Sequence, residues 1–129
     1  MNKERLTKLA EHLRTVSPEN FNMENWQCGT AACAVGHACM IPEFNSQGLT
    51  LTSGGSPTVP SYERDTGWSI GWTAVRDFFD LGAEAMELFA FESYQAAPTA
   101  DEVADRIMRL VQSDGTSRKK KYLIAKFVI

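Results

Sequence analysis

Thr30-Ala31-Ala32-Cys33-Ala34-Val35-Gly36-His37-Ala38-Cys39-Met40-Ile41 is the stretch whose reading decides the fold of this chain. Its residues are small or apolar nearly all round. A helix made of them has no solvent face and belongs in the middle of a core. Thr30 is a suitable N-cap and Pro42 a stop. The stretch therefore predicts a central buried helix over 30–41. Gly36 costs such a helix about 1 kcal/mol relative to alanine, and close approach of another element is a physical reason to accept that cost.

The neighbouring segments supply what such a helix needs around it. Leu6, Leu9, Ala10 and Leu13 follow the i, i+3, i+4, i+7 spacing of an amphipathic helix, with Lys3, Glu4, Lys8, Glu11 and Arg14 on its wet side. Ser17-Pro18 ends that helix, because the residue before proline avoids the helical region. Phe21, Met23 and Trp26 then recur in an irregular connector and read as plugs into the core.

After Pro42 the composition shifts to Gly, Ser, Thr and Pro over 45–71. Leu49-Thr50-Leu51-Thr52 alternates like a short strand, Ser53-Gly54-Gly55-Ser56 reads as a turn, and Thr58-Val59 can pair back. Pro57 and Pro60 assign that second strand to an edge. Trp68, Trp72, Val75 and Phe79 form another helical stripe, closed at Leu81-Gly82. Ala85, Leu88 and Phe89 make a short helix. Thr99 and Glu102 form a capping box before Val103, Ile107, Leu110 and Val111. The tail from 115 to 129 joins Arg118-Lys119-Lys120-Lys121 to a run of β-formers, and either docks or awaits a partner.

The expected architecture is a mainly α fold (α+β with a minor hairpin), about five helices with a small β element at 48–62, in one domain spanning 1–129. Length and composition agree: 129 residues, 43% hydrophobic and 22% charged, suit one core without obligatory metals or disulfides. A net charge of −3 argues against a general nucleic-acid binder. No run is apolar and long enough for a membrane span, and the charged start is no signal peptide. Three cysteines within twelve residues, Cys28, Cys33 and Cys39, do not fit a secreted disulfide scaffold, so a reducing cytoplasm is expected.

Phe21-Asn22-Met23, Trp26 and then Cys28-Gly29-Thr30-Ala31-Ala32-Cys33-Ala34-Val35-Gly36-His37-Ala38 resemble a pattern in small uncharacterised proteins of bacteria and their phages. The likeness extends to Phe78-Phe79-Asp80-Leu81-Gly82, Leu88-Phe89 and the helix after Thr99, but not to the tail. It implies a fold and an accessory setting, and brings no activity with it.

Three chemistries compete at the cysteine segment. A metal site would take Cys28, Cys33 and His37, since Cys33 and His37 share a helix face and Cys39 points away. The spacing matches no familiar zinc pattern, and free cysteine is among the most buried residue types, which favours structural thiols and no cofactor. A nucleophile at Cys28 would need a base, and on a helix His37 lies about 13 Å along the axis; only His12 remains. An anion site would use the backbone N–H groups of Cys28-Gly29-Thr30 at the helix entrance. There Thr50, Thr52, Ser53, Ser56, Tyr62 and Arg64 close over a phosphate-bearing ligand, against the plainer alternative of an N-cap and a turn. The expected function is non-enzymatic capture of such a small ligand, in a phage or bacterial accessory or counter-defence role. The alternatives are a thiol- or metal-dependent protein using Cys28, Cys33 and His37, and a protein–protein interaction module. Trp26, Trp68, Trp72, Phe78, Phe79, Phe89 and Phe91 are assigned to the core, with Trp68 or Trp72 exposed at the loop edge.

Overall fold

The structure, a computed structural model, describes residues 1–28 and 31–113. Six α-helices and two small antiparallel sheets are described there. The mainly helical reading holds, and the differences from it lie at the centre.

Helix α1 (Lys3–Leu13) begins as its periodicity predicts, with Leu6, Leu9 and Leu13 fully buried. The Asn2 side chain caps it by accepting from the Arg5 N–H. The same start is tied to the far end of a later helix: Asn2 N donates to Phe79 O at 2.8 Å, and Arg5 Nη1 donates to Phe78 O at 2.8 Å. Those carbonyls sit in a last helical turn, where partners must come from outside the helix.

The predicted helix over 30–41 is a correction. Gln27–Cys28 (β1) and Ala31–Ala32 (β2) form a two-stranded hairpin, and the helix that follows, α2, is only Ala34–Ala38. Local propensity loses to pairing. Ala31 and Ala32 are matched with Cys28 and Gln27 on one side, while Asn22 N donates to Ala32 O at 3.0 Å on the other. Extended backbone at Cys33 (ψ 179°) then starts the helix, whose cap is the Cys33 sulfur rather than Thr30. Burial is as expected within α2, where Ala34, Val35, Gly36, His37 and Ala38 are all buried. Met40 already faces solvent, and Pro42 opens α3 (Pro42–Ser46) instead of only ending α2.

The glycine-rich region forms a three-stranded meander of β3 (Thr50–Leu51), β4 (Pro57–Pro60) and β5 (Trp68–Ile70), in that spatial order. The β3–β4 hairpin matches expectation. However, β4 is the central strand, not an edge. Its prolines are tolerated because they occupy its first and last positions, opposite Leu51 and Trp68. Trp68 belongs to β5 and not to a helical stripe. Helix α4 starts only at Trp72 and runs Trp72–Phe79.

Helix α5 (Glu84–Phe89) and the helix over 100–113 (α6) complete the fold. Thr99 caps α6, its Oγ1 accepting from Glu102 N at 3.1 Å. Phe44, Phe78, Phe79 and Phe89 form a chain of rings with successive centroids 5.0, 5.1 and 5.7 Å apart. Leu88, Val103 and Ile107 pack in the same core. The docked or partner-seeking tail expected over 115–129 lies outside the described residues. No helix among the described residues is long and apolar enough to cross a membrane.

Candidate functional site

The connector over 22–26 is shaped by its own polar groups. Asn22 Oδ1 accepts from Glu24 N at 2.9 Å, a local turn of the kind asparagine favours. Cys33 N donates to Asn25 O at 3.1 Å, which holds the connector against the start of α2. The Cys33 thiol adds a second tie. Its sulfur accepts from Gly36 N at 3.4 Å and faces Trp26 O at 3.9 Å. Gly36 makes this approach feasible, since a Cβ there would lie 1.7 Å from Trp26 O. The close neighbour expected at Gly36 is therefore the Trp26 carbonyl.

With its backbone held, Trp26 meets Trp72 edge to face, ring centroids 5.0 Å apart at 62°. Trp72 is placed by Gly71, whose φ of 67° favours glycine and whose N–H donates to Pro57 O at 2.8 Å. A third wall comes from α5 and the short 3-10 turn Phe91–Ser93. This wall is braced from behind. Tyr94 Oη donates to Leu88 O at 2.7 Å, and the Arg106 guanidinium lies 3.7 Å over the Tyr94 ring while donating to Glu87 O and Ser93 O.

Between these walls lies a cleft of about 640 Å³. Trp26, Trp72, Phe89 and Phe91 give it aromatic surface, and Met23 and Met86 add thioethers. Glu24, Asn25 and Glu92 are its polar side chains, and Cys33 lines it as well. A second groove of about 440 Å³ lies on the other side of α5, lined by Arg106, Arg109, Ser93 and Ser113 among others.

The thiols are poor nucleophiles. Burial raises the Cys33 pKa, only partly offset by the N–H groups at the start of α2. Burial, with Cys33 nearby, pushes Cys39 up to about 12. Thiolate reactivity falls accordingly. His37 Nε2 lies 2.7 Å from Asn20 O, so that nitrogen carries the proton and donates. The carbon face of the His37 ring stacks on Phe21, and His12 of α1 sits 6.2 Å away, centroid to centroid. Cys33 and His37 thus bond to different parts of the connector. Among the described residues no group of three or more His, Cys, Asp or Glu is placed to hold a metal ion.

The expected anion site fares differently residue by residue. Gly29 and Thr30 lie outside the described residues, and of Cys28 only the backbone pairing is described. The helix entrance invoked there is at Cys33 instead, and α2 is a single short turn. Thr52 is engaged within the fold, its Oγ1 accepting from Ser56 N at 3.1 Å in the β3–β4 turn. Ser53 is exposed in that turn, and Thr50 is exposed opposite Thr58. Tyr62, fully exposed, and Arg64 lie in the β4–β5 connection, at the other end of β4. The polar residues therefore do not converge on one face.

The cleft is hidden in the sequence because Trp26, Trp72, Phe89 and Phe91 read as core and Glu24 and Glu92 as surface. Its one signal is the aromatic connector over 21–26, which is too irregular for all its rings to be buried. No protein-family model matches the chain, and no significantly similar curated protein or solved structure was found.

Proposed function

We propose that this protein is a non-enzymatic binding protein and that its ligand occupies the cleft between Trp26, Trp72 and Phe91. The observation that carries this reading is the aromatic lining of a cleft of about 640 Å³. Small-molecule sites are typically about 300–1,000 Å³, mainly apolar, with few polar groups. The walls are also fixed before any ligand arrives, through Gly36, the Cys33 cap and the Arg106 brace. Preformed walls lower the ordering cost of binding. The raised thiol pKa values support binding over thiol chemistry. The resemblance to small bacterial and phage proteins supports a cytoplasmic accessory or counter-defence role, in which a small molecule is sequestered.

The test is a thermal-shift screen of cationic, neutral and anionic metabolites on the wild type and on Met86→Arg. Met86 lines the cleft and is 44% exposed, so the substitution obstructs the cleft with little effect on folding. The reading expects at least one hit that Met86→Arg abolishes. A screen without hits, or hits unaffected by Met86→Arg, contradicts it.

A phosphate-bearing ligand is the second reading, and the observation favouring it is the Arg106–Arg109 groove with Ser93 and Ser113. Arg109→Ala is its test, because Arg106 is already bonded to Glu87 O and Ser93 O. A nucleotide hit lost in Arg109→Ala and kept in Met86→Arg would move the site there.

A further inference from the structure

We infer that the cleft selects organic cations, specifically small ammonium compounds carrying an apolar or aromatic body. The inference rests on the binding reading above and adds the charge and class of the ligand. Its basis is the pairing of aromatic faces with carboxylates on one concave surface. Glu24 precedes the Trp26 wall and Glu92 follows Phe91 on the opposite wall, and both line the cleft. Among the described residues neither carboxylate has an ion-pair partner. No lysine, arginine or histidine is among the cleft's lining residues.

An anion entering this space would meet two negative side chains and the negative faces of the rings. A cation meets favourable fields from both. An ammonium over a tryptophan face gains from the ring quadrupole, most strongly where water is displaced. Trp26 and Trp72 stand edge to face at 62°, so two ring faces at an angle bound one corner of the cleft. Methylated ammonium groups suit such a corner, because their weak hydration lets them leave water readily. Met23 and Met86 extend the apolar surface beyond it and accommodate a body of variable shape. The remaining volume, well above that of an ammonium head alone, is the reason for assigning an apolar body.

The probe is benzyltrimethylammonium, with benzyl alcohol and benzenesulfonate as neutral and anionic controls. Titrations are read by intrinsic fluorescence in a Trp68→Phe background, which leaves Trp26 and Trp72 as the reporters. The cation is expected to give a saturable change, weakened about three- to tenfold by Glu24→Gln and by Glu92→Gln, and weakened by salt. Both glutamates are exposed, so these variants fold. Equal binding of benzyl alcohol or benzenesulfonate overturns the cation assignment, and so does indifference to both substitutions. If one of those controls binds and Met86→Arg abolishes it, the binding reading stands without the charge preference. No saturable signal from the three probes, with no hit in the screen, removes both.

Discussion

Replacing Gly36 with alanine sets two physical effects of opposite sign against each other. Helix propensity alone favours the substitution by about 1 kcal/mol, since glycine is a poor helix former. The packing opposes it. A Cβ at 36 would lie 1.7 Å from Trp26 O, 2.8 Å from Ala32 Cβ and 2.9 Å from Trp26 C. Ordinary carbon–oxygen contacts are near 3.3 Å, so the connector must retreat by roughly 1.5 Å. None of these atoms is the far end of a flexible side chain, so the whole connector moves. That movement breaks the Cys33 Sγ contact with Trp26 O and strains the Cys33 N–H bond to Asn25 O. Overpacking of this kind costs about 1–3 kcal/mol, and each lost hydrogen bond adds about 1 kcal/mol. After the propensity gain the net destabilisation is about 2–4 kcal/mol. Urea unfolding followed by circular dichroism measures it, and the midpoint should fall by about 1–2 M for a typical slope. An unchanged or raised midpoint would refute the reasoning, because it would mean that Trp26 does not lie against α2.

Other consequences follow from the same packing. Ala34→Leu overpacks a fully buried position and should lower stability by about 1–3 kcal/mol, read from the same urea midpoint. In a Cys28→Ser background, an aromatic disulfide reagent should find neither Cys33 nor Cys39 in the native protein and both in urea; fast native labelling would contradict their burial and raised pKa values. Burial, then His37, lowers the His12 pKa below its ordinary 6.5, so the folded protein favours the neutral ring. The unfolded chain then binds the proton more tightly, and this contribution is present above about pH 6.5 and lost as pH falls through the lowered folded value. His12→Gln should flatten that part of the stability profile, and an unaltered acid limb would count against the assignment.

Periodic segments are legible in the sequence and irregular ones are not. Leu6, Leu9 and Leu13 specify α1 through their spacing, and Thr99 specifies the start of α6 through its hydroxyl. Both signals are local. The stretch over 30–41 misleads because its composition describes burial without describing backbone conformation. Small apolar residues fit a buried strand as well as a buried helix, and here Asn22, Gln27 and Cys28 claim the backbone of Ala31 and Ala32. Trp68 misleads for a related reason. Its fit to a four-residue spacing is accidental, and Gly67 and Gly71, both at positive φ, bracket a strand instead. The cleft depends on rings from three separate segments, so no single window contains it. Cys33 illustrates the limit well: its burial is readable, whereas its role as a helix cap requires the geometry of Gly36.

If the cleft is the ligand site, Trp26 and Trp72 must feel the ligand and Trp68 must not. The chain's three tryptophans give three indole N–H resonances, and Trp68, on β5, serves as an internal control. Titration with benzyltrimethylammonium, followed by proton–nitrogen correlation spectra, should shift the Trp26 and Trp72 indole signals along one saturable curve and leave Trp68 in place. Movement of Trp68 alone, or no saturable movement at Trp26 and Trp72, would contradict the assignment of the cleft.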